Sequence, residues 1–259
     1  MSPSDTLTPP RQNSAVQAIL NVVRRELTGY FSTPVAWVFI VIFLVMAGVF
    51  TFYIGAFYER GLADLAPFFQ FHAWLYLFLV PAVSMRLWAE ERRSGSIELL
   101  LTLPLTTWQA VVGKFLAAWF FIGLALALTF PTWVTVNYLG DPDNGAIFAG
   151  YLGSWLMAGG FLAIGSCISA TTRNQVVAFI LSVVVCFGFL LSGLPMIMNL
   201  FSGWAPQGLL DLVAEFSFLS RFASISKGVL DLRDLVYFGL VTVFWLMANT
   251  IVLELRKAD

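Results

Sequence analysis

The chain of 259 residues is 59% hydrophobic and only 11% charged, with a formal net charge of −1. Because soluble domains carry about a quarter charged residues, a soluble all-α protein of this composition would expose a large apolar surface to water. The composition therefore predicts an all-α integral membrane protein. The charge balance gives no support to a nucleic-acid partner.

Residues 1–33 combine a polar tail with an amphipathic segment. The tail, MSPSDTLTPP, is too polar for a cleaved signal peptide, and the apolar run that follows starts too late and is too long. In SAVQAILNVVRRELTGYF, apolar side chains such as Val16, Leu20 and Val23 recur at helical spacing, with polar residues on the other face. We expect this helix to lie in the membrane surface; the alternative is a helix packed on a partner.

Residues 34–259 form the predicted membrane domain, because they contain six apolar stretches of crossing length. A helix needs about 20 residues to cross about 30 Å of hydrocarbon. The predicted spans are Pro34–Phe57, Phe71–Ala89, Phe115–Tyr138, Phe148–Thr171, Val176–Leu200 and Leu235–Leu255. The expected fold is therefore six transmembrane helices preceded by an amphipathic interfacial helix.

The distribution of lysine and arginine predicts the orientation of these spans. If the N-terminus is cytoplasmic, ten of the fourteen basic residues lie on the cytoplasmic side. These ten are Arg11, Arg24, Arg25, Arg86, Arg92, Arg93, Lys114, Arg173, Arg256 and Lys257. The loop LGDPDNG after the third span carries acids and no base, as an external turn should. We therefore expect both termini in the cytoplasm and the chain in a bacterial inner membrane.

The middle of every predicted span lacks acidic and basic side chains, which usually mark proton relays and ion paths. This pattern disfavours a gradient-driven carrier or channel. Polar residues in the spans, such as Ser166 and Asn249, are expected to join helices through hydrogen bonds. Cys167 and Cys186 are interpreted as buried hydrophobic residues, and the single His72 as an interfacial residue rather than a ligand.

The sequence carries no recognisable nucleotide site. In the Gly113-Lys114 pair, Trp108 stands where a phosphate-binding loop needs its first glycine, and Phe115 replaces the hydroxyl residue. Motifs for nucleophilic or zinc-dependent catalysis are also missing. We therefore expect no catalytic residue, no metal ligand and no cofactor on this chain, so that any transport would take its energy from another subunit.

Residues 90–114, EERRSGSIELLLTLPLTTWQAVVGK, begin with four charges and then become apolar. The SGS sequence can cap a short helix, Glu98 suits the positive end of that helix, and Pro104 ends it. Two turns cover about 11 Å, which is too short to cross a membrane. The pattern predicts a small apolar projection on a charged base facing the cytoplasm. A connector that lies on the lipid is the alternative.

Between residues 67 and 117 the chain carries an ordered series of short motifs. They are Met85-Arg86 at the end of a span, the cluster Glu90–Arg93, Gly95-Ser96-Ile97-Glu98-Leu99-Leu100, Pro104 and Gly113-Lys114. This series resembles the signature of ABC-2 type permeases, and it is most similar to the gliding-motility-associated GldF branch. The six-span layout with an amphipathic N-terminal helix also fits that family.

The resemblance implies a permease subunit with the ABC-2, or type V exporter-like, fold. Such a subunit pairs with a second copy and with a separate ABC ATPase, which binds ATP and Mg²⁺ and drives export or other work across the membrane. The ATPase would dock through a coupling helix in residues 90–114, at Glu90, Glu91, Arg92, Arg93, Gly95, Ile97, Glu98, Leu100, Leu101 and Pro104. GldF-like permeases are commonly accompanied by an auxiliary membrane protein with an extracytoplasmic domain (GldG-like). A membrane assembly scaffold without transport is a further alternative.

Residues 201–234 precede the last span on the predicted external side and contain two short amphipathic stretches. In ABC-2 relatives the matching region dips back into the outer leaflet and gates the pathway. The resemblance therefore implies an external gate at Leu212, Phe216, Phe218 and Phe222. A packed surface connector is the alternative. Asp231 and Asp234 are expected to cap the last helix.

Overall fold

The computed structural model describes residues 15–96, 105–192, 194, 199 and 206–256. The regular elements in these ranges are all helical, as the composition predicts. The α-helices in chain order are α1 (Ala15–Ser32), α2 (Pro34–Gly48), α3 (Phe57–Arg60), α4 (Ala66–Gln70), α5 (His72–Ser84), α6 (Arg86–Ser94), α7 (Thr107–Ala127), α8 (Phe130–Leu139), α9 (Asn144–Ser169), α10 (Gln175–Leu191), α11 (Gln207–Glu215), α12 (Phe218–Ile225) and α13 (Leu232–Leu255). A π-helix, Val49–Ile54, continues α2 towards α3.

Four helical stretches of the described chain are long and apolar enough to cross a membrane. They are Pro34–Arg60, Thr107–Leu139, Asn144–Ser169 and Leu232–Leu255. These stretches coincide with the predicted first, third, fourth and sixth spans. The predicted second span is divided at Met85 between α5 and α6, and the fifth contains α10, an apolar helix of 17 residues. A count of six spans therefore stays a prediction.

Helix α7 begins at Thr107, well before the predicted start of the third span at Phe115. Thr106 and Gln109 form a capping box: the Gln109 N–H donates to Thr106 Oγ1 at 3.4 Å, and the Thr106 N–H donates to Gln109 Oε1 at 3.1 Å. The box satisfies two backbone donors at the helix start, so the helix extends beyond the apolar run. The last part of the 90–114 segment consequently belongs to α7.

Helix α9 lies at the centre of the molecule and contacts α5, α7, α10 and α13. Many of its buried positions are glycine, alanine or serine, which let neighbouring helices approach closely. Phe161 and Leu162 on the same helix are fully buried. The outer surfaces of α2, α10 and α13 expose apolar side chains such as Val41, Ile180 and Phe244, as lipid-facing helices do.

Helix α1 packs lengthwise on α7. A Cβ added to Gly113 would lie 2.6 Å from Val22 Cγ1, so glycine permits the close approach, and Tyr30 stacks on Phe121 with ring centroids 5.2 Å apart. This contact buries Val22 and also Val23 of the predicted apolar face, whereas Val16 and Leu20 of that face are exposed. The inner face of α1 is therefore rotated from the predicted one, because a small residue distant in sequence determines where the helix docks.

Candidate functional site

The charged base of the predicted coupling segment is helix α6. Glu90 is exposed and pairs with Arg86 one turn earlier, with Arg86 Nε 2.9 Å from Glu90 Oε2. Gly95 ends the helix in the left-handed conformation, with φ of 74°, which glycine adopts without steric cost. Arg93 is exposed. Five further predicted contact residues, Ile97, Glu98, Leu100, Leu101 and Pro104, lie outside the described residues.

Lys114 joins three helices at this base. Its side chain is only 3% exposed, and its Nζ lies 2.7 Å from Glu91 Oε1 on α6 and 3.1 Å from Glu26 Oε1 on α1. The ammonium group also lies 5.3 Å from the ring centroid of Trp88. Because a buried charge needs partners, these contacts hold α1, α6 and α7 in one arrangement. We name Lys114, Glu26 and Glu91 the lysine cluster.

The electrostatics of the lysine cluster favour the ionised form of Glu26. Burial alone would raise the pKa of Glu26, but Lys114 and Arg25 outweigh it and lower that pKa below its usual value. Arg25 Nη2 lies 2.8 Å from Glu26 Oε1. From the sequence, Lys114 is recognisable only as a single lysine where a span begins, and its partners cannot be identified from spacing.

A serine pair positions α6 against α9 at the break after α5. Ser169 Oγ donates to the carbonyl of Met85 at 2.8 Å and accepts from the N–H groups of Trp88 and Ala89. Ser166 Oγ accepts from Trp88 Nε1 at 3.1 Å and from Asn249 Nδ2 at 2.8 Å. Backbone groups released by the break are thereby satisfied. The predicted role of Ser166 and Asn249 in joining helices is confirmed.

A partly open cavity of about 540 Å³ adjoins the lysine cluster between α1, α6 and α7. Its lining residues are Arg25, Glu26, Gly29, Tyr30, Thr33, Arg86, Leu87, Glu90, Glu91, Ser96 and Lys114. The wall carries both signs of charge and ends at Ser96, immediately before the segment 97–104. This cavity can accept a polar segment that carries both acidic and basic groups.

The predicted external gate residues do not form one group. Phe218 and Phe222 are buried, whereas Phe216 is 55% exposed, and the side chain of Leu212 lies outside the described part of the chain. The Phe218 ring lies 4.9 Å from Phe161 of α9, centroid to centroid. Phe218 and Phe222 therefore anchor α12 in the core.

A polar contact also ties this external segment to the last helix. Arg221 Nη1 lies 3.1 Å from Asp234 Oδ1, and the Tyr237 hydroxyl donates to the carbonyl of Phe216 at 2.5 Å. Asp231 caps α13 by accepting from the Arg233 N–H at 2.9 Å, as predicted. Asp234 was predicted to cap α13 as well, but its carboxylate instead pairs with Arg221 of α12.

His72 is fully buried, and its interpretation as an interfacial residue is wrong. Its Nδ1 lies 2.7 Å from the carbonyl of Phe68, and its ring contacts the rings of Phe43, Phe68 and Tyr76. The aromatic side chains come from three helices, so sequence spacing could not reveal the enclosure. The two cysteines are buried and free, as expected.

Apolar helices of crossing length, with charged groups gathered at their ends, define a multi-pass α-helical membrane protein. A family model described as ABC-2 family transporter protein matches residues 20–254. The chain therefore belongs to the ABC-2 transporter family. No curated protein sequence matches it. The family supplies the membrane permease part of ABC transporters, a transport component that generally works with an ABC ATPase, and not a catalytic domain.

Proposed function

We propose that this chain is the permease subunit of an ATP-driven exporter and that a separate ATPase docks on residues 90–104. The observation that carries the proposal is the anchoring of α6. This helix leads directly into the motif-bearing segment, and it is tied to α7 and α1 through Lys114 and to α9 through Ser169. A displacement of the docked segment would therefore reach the membrane helices through short, directional contacts.

In this proposal the ATPase holds ATP and Mg²⁺, and the permease itself binds neither. Closure of two ATPase subunits would move two copies of α6 relative to each other, which requires a permease dimer. The side chain of Arg93 is exposed, and Glu90 remains exposed although it pairs with Arg86, so both can reach an ATPase surface, whereas Glu91 pairs with the buried Lys114. Membership of the GldF-like branch, with a GldG-like auxiliary protein, is the finer form of the proposal and rests on the motif series.

The proposed topology places both termini in the cytoplasm of a bacterial cell, with the lysine cluster on the cytoplasmic side. Asn144→Cys and Ala258→Cys variants test it by labelling intact cells with an impermeant thiol reagent. Since Cys167 and Cys186 are buried, the unmodified chain should give a low background. We expect external labelling at position 144 only, and labelling at position 258 would refute the topology.

The proposed function is tested by co-expression with the Walker-motif ATPase encoded nearest to the permease gene. We expect the two proteins to copurify, and the complex to hydrolyse ATP in liposomes while the permease alone does not. A gradient-driven carrier or a scaffold predicts no such partner. Robust hydrolysis by the isolated permease, or failure of every neighbouring ATPase to copurify, would overturn the proposal.

A further inference from the structure

Ser166 joins three helices through hydrogen bonds, and each of the three chain segments carries an arginine a few residues further on. Trp88 of α6 and Asn249 of α13 both donate to Ser166 of α9. Arg92 lies four residues beyond Trp88, and Arg173 and Arg256 each lie seven residues beyond their bonded residue (166 to 173 and 249 to 256). Since the bonded residues fix one common level, the arginines emerge together at the same end of the helices.

These arginines, which we name the arginine trio, form no ion pair with any other described residue. The Nε of Arg92 is buried and has no hydrogen-bond partner among the residues that the structure describes. Burial lowers the pKa of Arg92, and Arg256 and then Arg173 lower it further, which reflects uncompensated positive charge.

The acidic side chains nearest to the arginine trio in sequence are directed elsewhere. Glu90 pairs with Arg86, and Glu91 pairs with Lys114. Glu254 precedes Arg256 by two residues, which places it on the opposite side of the helix at about 100° per residue. Gathering three like charges without a counterion is unfavourable, so an anion from outside the described chain would stabilise the arrangement.

Apolar side chains border the arginine trio. Val176 at the start of α10 is 63% exposed, and Leu255 at the end of α13 is 68% exposed. Val176 lies three residues after Arg173, and Leu255 immediately precedes Arg256. A free inorganic anion would leave this apolar border uncovered, whereas a lipid would place acyl chains along it and its phosphate on the guanidinium groups.

We infer that Arg92, Arg173 and Arg256 bind the phosphate of an anionic phospholipid headgroup at the membrane surface. Guanidinium groups suit this ligand because each offers paired N–H donors to phosphate oxygens. Bound lipid would bridge α6, α9–α10 and α13 at the end where the proposed coupling segment starts. The inference rests on the membrane location of the family and not on the proposed ATP coupling.

The test uses the full chain in nanodiscs of phosphatidylcholine alone or mixed with phosphatidylglycerol. Thermal unfolding and native mass spectrometry measure stabilisation and retained lipid for the unmodified chain and for Arg92→Gln/Arg173→Gln/Arg256→Gln. Arg233→Gln, at the opposite end of α13, is the matched single-charge control for Arg256→Gln. We expect phosphatidylglycerol to bind the unmodified chain selectively, and each trio substitution to weaken that binding about fivefold. The triple Arg→Lys variant should retain most of the binding.

Several results would overturn the inference. One is equal phosphatidylglycerol binding by the unmodified chain and the triple glutamine variant. Another is stabilisation by inorganic phosphate that equals that of the lipid, which would indicate a free anion. A third is loss of dimer cross-linking in the triple variant with unchanged lipid binding, which would assign the trio to a subunit contact. A failure of the ATPase to copurify leaves each of these readouts intact.

Discussion

At one end of the helices, α6 is held by ion pairs and hydrogen bonds, whereas at the other end α12 is held by aromatic packing. Lys114 pairs with α1 and α6, and Ser169 bonds to three backbone groups at the start of α6. Phe218 of α12 instead contacts the rings of Phe161, Phe189 and Phe238. Hydrogen bonds are directional, but apolar packing is not, so the first contact fixes an orientation and the second mainly fixes a position.

Because they are anchored differently, α6 and α12 should respond differently to substitution. A small loss of polar complementarity should loosen α6 without creating a void. The external segment should respond mainly to side-chain volume and less to charge, which enters through the Arg221–Asp234 ion pair. A subunit that transmits force through α6 needs a fixed orientation of that helix. Single substitutions can separate the polar anchoring of α6 from the apolar anchoring of α12.

Phe218→Ala should give the largest loss of stability. Removing a fully buried phenylalanine leaves a cavity among aromatic rings and costs about 3–5 kcal/mol. Phe216→Ala is the control, since Phe216 is 55% exposed and should change stability little. Thermal unfolding in detergent measures both. Equal destabilisation by the two substitutions would show that α12 is not anchored through Phe218.

Lys114→Met, at the end that holds α6, should lower the free energy of unfolding by about 3 kcal/mol. The substitution leaves the poorly exposed carboxylates of Glu26 and Glu91 without their shared partner. Adding Glu91→Gln should recover part of the loss, since it removes one of the uncompensated charges. The same unfolding measurement applies. If the double variant is no more stable than Lys114→Met, the charge interaction does not stabilise the cluster.

Ser169→Ala should cost about 1–3 kcal/mol, because it removes the partner of two N–H groups and one carbonyl at the α5–α6 break. Ser192→Ala is a matched control, since the Ser192 hydroxyl at the end of α10 donates to the carbonyl of Phe189 three residues earlier, a local bond that joins no other described helix. Hydrogen exchange at Trp88 and Ala89 reports the local effect. Unchanged exchange at these two amides would contradict the assigned role.

The smallest expected effect is an acid dependence that comes from Glu26. Its pKa is lowered in the folded chain, so its contribution is complete above the ordinary value of 4.5 and is lost as pH falls through the lower folded value. The unmodified chain should therefore lose more stability below pH 4.5 than Glu26→Gln does. Parallel acid-unfolding curves for the two chains would refute this.

The membrane class and four of the crossing stretches could be predicted because long apolar runs are a local property of the sequence. The start of α7 is also recognisable in the sequence, because Thr106 and Gln109 have capping-box spacing, whereas the apolar run alone predicts a later start at Phe115. Local patterns thus determine which segments are helical and nearly where they begin.

The partners within the site could not be predicted. Lys114 and Glu26 are 88 positions apart, and Trp88 and Ser166 are 78 apart, so only the packing of helices brings them together. The same applies to α1, whose inner face depends on the space above Gly113. The amphipathic pattern around Phe218 predicts a short helix, but it does not indicate that the aromatic partners of Phe218 lie in α9, α10 and α13.

The central claim is that the segment after α6 docks the ATPase, and Leu100→Asp tests it most directly. Burying a leucine is worth about 1.5–3 kcal/mol, so this substitution in a docked helix should lower ATPase affinity by more than about tenfold. Leu62→Asp is the control, because Leu62 is 56% exposed and lies between α3 and α4, on the proposed external side. Pull-down of the ATPase by variants that insert and fold normally is the measurement. We expect Leu100→Asp to lose the ATPase and Leu62→Asp to keep it; full binding and full ATP hydrolysis with Leu100→Asp would contradict the account.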